Sequence, residues 1–184
     1  MIKALAFIYK KKGLSDGDFK NYYEKNHAPL ATSLLTFEGY ERNFVNANIN
    51  PLFASLGSIS IFQYQSIESL NDIEEQMSSD AGDTLREDEL KFMDVAKNYF
   101  VLTQSDQLTE QRFQKKIFYP CNDEHDLGSL NSYEGLNKIS DNIILESTEM
   151  FGIAEYGITQ KAEFDVLKKL TQEHPKAIIT SCVS

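Results

Sequence analysis

The chain has 184 residues, 41% hydrophobic and 25% charged, enough for one sizeable core or two small ones and unlike a disordered tail. Its 28 acidic and 18 basic side chains give a formal charge of -10, which repels a phosphate backbone; the main basic cluster, Lys10 to Lys12, reads as a solvated turn, so nucleic acid is not an expected partner. Cys121 and Cys182 stand far apart with no CxxC spacing and no histidine pattern suited to zinc, so no metal site is expected.

The opening MIKALAFIYKKK has too few apolar residues for a signal peptide or a membrane span, and a soluble, cytoplasmic chain without a membrane partner is expected. Ile2 to Tyr9 reads as a strand apolar on both parities, hence covered on both faces. Gly13 and Leu14 turn the chain into a helix that starts near Asp16. Ser15 is its N-cap, and Asp16 and Asp18 complement the positive end of its dipole. Phe19, Tyr22, Tyr23, Asn26, His27, Leu30 and Leu34 then recur at spacings of three and four and share one face. Pro29 lacks an amide hydrogen, so the Lys25 carbonyl loses its helical donor and a kink or break is expected beside His27. An imidazole on the buried stripe, at a disturbed turn preceded by two tyrosines, suits proton transfer at neutral pH. The competing reading is a core histidine bonded to a backbone carbonyl.

Gly39 follows as a stop signal, Tyr40 to Ala47 as a strand, Asn48 to Leu56 with Pro51 as a loop, and Ser58 to Gln65 as a third strand. Leu70, Ile73 and Met77 place a helix after a Ser66 cap. Ser78 to Asp83, with Gly82, interrupts it; Leu85, Phe92, Met93 and Ala96 imply a further helical piece, and Tyr99 to Thr103 a fourth strand. The order β-α-β-β-α-β is that of a ferredoxin-like α+β unit, an antiparallel sheet with helices on one face. Its bare face needs a cover, and a second sheet would supply one.

Gln104 to Arg112 is polar and aperiodic and reads as a linker, which divides the chain into units 1–105 and 106–184. The order then runs again: a strand at Lys115 to Tyr119, a weak helix over Leu127 to Ile139 and strands at Ile143 to Met150 and Gly152 to Thr159. A helix over Ala162 to Glu173, with Phe164, Leu167, Leu170 and Val166 as inward candidates, and a strand at Ala177 to Val183 complete it. Two such units in tandem would close an intramolecular dimeric α+β barrel, as a pseudo-dimeric monomer or, with pairing through the second half, a homodimer. Without the helix at Leu127 the second half becomes a smaller extension that caps the first sheet or exchanges with a neighbouring chain.

The first half, about Met1 to Ser105, resembles the EthD family of the dimeric α+β barrel superfamily. The resemblance rests on the strand IKALAFIYKK, the turn GLS, the helix DFKNYYEKNHAPLA and the following GYERNFV, with an F-x-x-Y-[YW]-E-x-x-H-A-P-L core at Phe19 to Leu30. The second half has EHDLGSLNSYEGLN where a repeat would place that core, without an HAP triplet, so at most one active cavity per chain is expected. The resemblance implies units joined through their sheets and a cavity bordered by sheet and helices. Relatives in the superfamily include cofactor-free monooxygenases of aromatic polyketides, polyketide cyclases, lactone isomerases and haem-handling proteins.

The expected chemistry is proton transfer on a small hydrophobic carbonyl or aromatic compound without a cofactor. His27 would be the general base or acid, and Tyr23 or Tyr22 would steady the developing enolate. Tyr9, Phe44, Phe62 and Tyr64 are candidates for an apolar pocket wall, with core packing as the competing reading. Arg42 is a candidate for binding an acidic substrate group, against an ion pair at the sheet margin. Glu24 reads as solvated or paired with Lys20, and His125 and His174 carry no further sign of catalysis. Haem would need His27 as axial ligand, and no second haem-specific feature accompanies it. The non-enzymatic alternative is a barrel that holds a hydrophobic ligand or serves structure alone.

Overall fold

The computed structural model describes residues 1–146, 150–159 and 164–183, the side chains of residues 164 and 165 excepted. The first half supplies strands β1 (Ile2–Tyr9), β2 (Gly39–Val45), β3 (Leu56–Tyr64) and β4 (Tyr99–Gln107), and the second half β5 (Lys115–Cys121), β6 (Leu136–Ile144), β7 (Gly152–Ile158) and β8 (Ile178–Val183). They close a barrel in the order β1-β3-β2-β8-β5-β7-β6-β4. Each half therefore contributes its strands in the same spatial order, fourth, first, third, second. The halves are stitched by two antiparallel seams, β2 with β8 from Arg42↔Val183 to Val45↔Thr180, and β4 with β6 from Thr103↔Ile144 to Gln107↔Ser140. Closure leaves no open sheet edge.

The both-sided apolarity of β1 is explained by this arrangement. Leu5 and Phe7 point into the barrel with Ile59, Ile61, Phe118, Ile153 and Ile178, so that one apolar core draws on both halves. Ile8 faces outward onto the helices, and Ile2 and Ala4 pack there with Tyr64. On the outside of the first half lie α1 (Asp16–Tyr22), α2 (Ala28–Leu34), α3 (Ser69–Met77) and α4 (Asp80–Phe92). On the second half α5 (Phe164–Glu173) sets Leu167 and Leu170 against Ile117, Tyr119 and Tyr156. Among the described residues no helix is long and apolar enough to cross a membrane.

Several local expectations are corrected. The helix expected over Leu127 to Ile139 is a short 3-10 turn at His125–Gly128 followed by turns, and β6 already begins at Leu136. Gly128 and Gly135 flank this polar stretch, in which Leu130 is fully buried and Tyr133, with Leu127 just before it, packs partly buried on the same core without a helix to carry them. Of the strand expected over Ile143 to Met150, Ile143 and Ile144 end β6, while residues 147–149 lie outside the described residues, as do residues 162 and 163 and the Phe164 side chain of the last helix. The linker is shorter than expected, because β4 continues through Gln107 to pair with β6. Ser66 does not cap α3, whose N-cap is Glu68 without a side-chain bond. The interruption expected over Ser78 to Asp83 is present but confined to Ser78 and Ser79: α4 starts at Asp80 behind a Ser79 cap, and Gly82 lies inside it where a Cβ would come 2.0 Å from the Met77 carbonyl oxygen. The glycine permits the tight α3–α4 junction.

Candidate active site

Ser15 Oγ accepts the Asp18 amide at 3.1 Å and starts α1 as expected. At Pro29 the helix neither breaks nor sharply ends. The five residues Tyr23–His27 form a π-turn in which the Ala28 amide donates to the Tyr23 carbonyl, five residues back, before α2 continues the helix. The extra residue absorbs the donor that Pro29 lacks. It also re-phases the stripe: Tyr23, His27, Ala28 and Ala31 are buried, whereas Asn26, expected inward, is exposed and bonds back to the Tyr22 carbonyl.

His27, 5% exposed, directs Nδ1 to Oδ2 of Asp88 at 3.0 Å, and Asp88 is itself 4% exposed. Oδ1 of the same carboxylate accepts the Tyr22 hydroxyl at 2.6 Å and lies 3.4 Å from Lys91 Nζ, on a side chain at the surface. Burial lowers the His27 pKa from its ordinary value, and the hydrogen bond and charge of Asp88 only partly offset this. Burial alone would raise the Asp88 carboxyl, but Tyr22, His27 and Lys91 hold it below the usual carboxylate value. Tyr22 is pushed up to about 12, first by burial and then by Asp88. An ionised Asp88 can only accept, so Nδ1 carries the hydrogen of this contact, and in the neutral ring Nε2 is left without one.

Tyr23, 1% exposed, belongs to a separate relay. The Tyr40 hydroxyl donates to the Tyr23 hydroxyl at 2.8 Å, which in turn lies 2.9 Å from Ser60 Oγ. Burial raises the pKa of both phenols. The Tyr23 ring stands edge-on to His27, centroids 5.1 Å apart, and Phe19, Phe44 and Phe92 fill the rest of the space between helix and sheet.

The structure thus brings His27, Tyr22, Tyr23 and Phe44 together. Phe62 stacks on Tyr40 at 4.6 Å, one ring further along the outer face, and Tyr64 is buried beyond it under α3 with Phe37 and Leu70. Arg42 forms the margin ion pair, both its Nε and Nη2 lying 3.0 Å from the Glu24 carboxylate, so Glu24 is paired across to β2 and not with Lys20. Tyr9 stands apart, on the inner face of β1 beside Tyr99. The groove next to this pair, about 410 Å³, is lined by Glu24, Ala28, Pro29, Thr32, Ser33 and Arg42, and none of the cavities described is lined by His27. Haem does not fit here: the Tyr23 and Phe92 rings both pack on the imidazole, centroids 5.1 Å apart, and no described cavity beside His27 would take a macrocycle.

Asp88, Tyr40 and Ser60 are the site residues that sequence reasoning missed. Asp88 was legible in principle, since Leu85, Asp88 and Phe92 follow at steps of three and four, which places a carboxylate on the buried stripe of α4.

A family model for the EthD domain matches residues 11–96. Among solved structures, the chain is similar to a candidate chlorite dismutase (TM-score 0.58, 8% identity, 100% of this chain and 94% of that one). It is similar to a candidate monooxygenase from Fusobacterium nucleatum (TM-score 0.56, 8% identity, 100% and 92%). An EthD family protein from Bacillus halodurans aligns over 56% of this chain and 98% of its own, with 20% identity and a TM-score of 0.42. No curated protein matches the sequence. Residues 11–96 are thus the part of the chain that matches the EthD domain, and they supply β2, β3 and the helices α1 to α4 to a closed eight-stranded α+β barrel.

Proposed function

We propose that the chain is a cofactor-independent enzyme that moves a proton on a small hydrophobic carbonyl or aromatic compound, with His27 as general base. The observation that carries this reading is the His27–Asp88 pair, 3.0 Å apart, both members buried and the carboxylate shared with Tyr22. Burial keeps the imidazole neutral and Asp88 fixes its tautomer, the two conditions a base needs at neutral pH. Tyr23, with its raised pKa, remains protonated and is the phenol left to donate to a developing enolate, since the single proton of Tyr22 is given to Asp88. Asp88 would be a positioning residue that acts through His27.

A second reading has its own support: the rings of Tyr23, Phe19, Phe44 and Phe92 fill the space under the helix, as in a barrel whose histidine only ties helix to helix. One experiment separates the two. The protein is incubated in D₂O with a panel of aryl 1,3-diketones and β-keto acids, and loss of the α-proton signal is followed by NMR. Exchange by the wild type that falls roughly a hundredfold or more in His27→Gln supports the enzyme. No exchange above the buffer rate, or equal exchange by the variant, favours the structural reading.

A further inference from the structure

The two ends of the barrel interior differ. One is filled by Leu5, Phe7, Ile59, Phe118, Ile153 and Ile178. The other holds a cavity of about 320 Å³ to which both halves contribute side chains. It lies on the opposite face of the first sheet from His27 and is independent of the proton-transfer reading.

The strand registers make the two halves equivalent around this cavity. Lys3 of β1 stands opposite Thr103 of β4, whose hydroxyl donates to the Lys3 carbonyl at 3.1 Å. Lys116 of β5 stands opposite Thr180 of β8, whose hydroxyl donates to the Lys116 carbonyl at 3.3 Å. Carried through the ladders, the same correspondence matches Ile61 with Glu155, Glu41 with Ser140 and Asn43 with Asn142. The side-chain bonds follow it: Asn43 Nδ2 donates to Glu41 Oε1 at 2.8 Å, and Asn142 Nδ2 to Ser140 Oγ at 3.2 Å.

The two equivalent lysines are nevertheless served unequally. Lys116 Nζ lies 2.7 and 2.8 Å from the two Glu41 oxygens and 2.8 Å from Glu155 Oε1. Where Lys116 has Glu41 and Glu155, Lys3 has Ser140 and Ile61, a short hydroxyl and a hydrocarbon. Lys3 is 2% exposed, and its ammonium has only long contacts, 3.4 Å to Ser140 Oγ, 3.4 Å to Gln107 Oε1 and 3.5 Å to the Glu155 carboxylate it shares with Lys116. An ammonium has three donors, and burying one without short acceptors is costly. The Lys3 side of the cavity therefore offers hydrogen-bond donors to a ligand. Gln63, opposite Lys3 in the β1–β3 ladder, also lines the cavity, and its side-chain amide has no partner among the described residues.

Charge limits what that ligand can be. The lining carries four carboxylates, Glu38, Glu41, Glu110 and Glu155, against three cations, Lys3, Lys116 and Arg112. An anion would meet a carboxylate already in excess. A cation reaching Lys3 would stand against that ammonium and find Glu41 and Glu155 engaged by Lys116. A hydroxyl group adds no charge and both accepts and donates, so it can take a spare Lys3 donor and give its own hydrogen to an amide oxygen. At about 30 Å³ per water the cavity has room for roughly ten waters, and so for a molecule of similar heavy-atom count. Ile61, Ile139 and Phe113 give it apolar surface for a carbon face. We propose that this mouth of the barrel binds a small neutral polyhydroxylated molecule of the monosaccharide or polyol class, with hydroxyls on Lys3 and Gln63.

The test is saturation-transfer-difference NMR of the full chain with erythritol, ribose, xylose, glucose and myo-inositol, and with acetate and methylammonium as anionic and cationic controls. At least one polyhydroxylated compound is expected to bind at neutral pH, more tightly than either control. Ser140→Glu gives Lys3 the carboxylate that Lys116 has and fills the space beside it, so affinity should fall roughly tenfold or more. Should that variant not fold, Gln63→Leu, which removes no side-chain hydrogen bond within the described residues, is expected to weaken binding in the same sense. No binding of any polyhydroxylated compound at about 50 mM, a control bound as tightly, or affinity unchanged in the folded variant would overturn the proposal. His27→Gln should bind the compound as the wild type does, which keeps the result separable from the outcome of proton exchange.

Discussion

His27 and Tyr22, five residues apart on a re-phased helix, meet the same carboxylate of a second helix: Asp88 receives Nδ1 at 3.0 Å on one oxygen and the Tyr22 hydroxyl at 2.6 Å on the other. Both are donors to it, which an amide could not satisfy together. Asp88→Asn is therefore expected to leave either His27 or Tyr22 facing an NH₂ group and to destabilise the fold by about 1–3 kcal/mol. Urea denaturation of the two proteins measures the difference; equal midpoints would mean that the carboxylate does not hold both groups in solution.

The pH dependence of stability follows from the same pair. The unfolded chain protonates His27 near its ordinary 6.5, whereas burial lowers that pKa in the folded state. Below about pH 6.5 the unfolded chain then binds the proton the folded one refuses, so stability is complete above that pH and falls as pH falls. Asp88, also lowered from its ordinary 3.8, adds a second loss at still lower pH by the same sign. Thermal melts from about pH 8 down to pH 5 should show the first decline in the wild type and a flatter profile in His27→Phe. A wild type that gains stability on acidification through this range would contradict the assignment.

The barrel is closed by seams within one chain, β2 to β8 and β4 to β6, so no second copy is needed to cover the sheet. Light scattering at micromolar concentration should give the mass of one chain, 21.0 kDa. A mass of twice that value would point to pairing through an outer surface, of which Phe100, 73% exposed on β4, is the most apolar exposed element of that strand.

Phe113 ties the linker down by lying across Gly157 of β7. A methyl group at Gly157 would come 2.2 Å from the Phe113 ring, and Phe113 also lines the polar mouth of the barrel. Gly157→Ala should displace the ring and cost about 1–3 kcal/mol. A variant as stable as the wild type would show that the linker seat is loose.

Most of the architecture was readable because it is written in periodicity. The double-sided apolarity of β1 demanded a cover on each face, and the βαββαβ order of the first half specified how that cover forms. The second half was harder, since Leu127, Leu130 and Tyr133 reach the core at steps of three, a spacing that a run of turns satisfies as well as a helix does. At the site, His27 and Tyr23 stood out by their spacing, but the partner of His27 did not. Asp88 sits in the acidic run REDEL, where charge reads as solvent exposure unless its position between Leu85 and Phe92 is weighed. The π-turn was also hidden, because Pro29 signals only that a donor is lost and not how the backbone makes up for it.

The central claim is that His27 is a neutral base held by Asp88, and ¹⁵N NMR of the labelled imidazole tests it most directly. The account predicts the Nδ1–H tautomer at neutral pH, a titration midpoint below the ordinary 6.5, and loss of that tautomer in Asp88→Asn. An imidazolium at neutral pH, or a proton on Nε2 with Nδ1 bare, would contradict it.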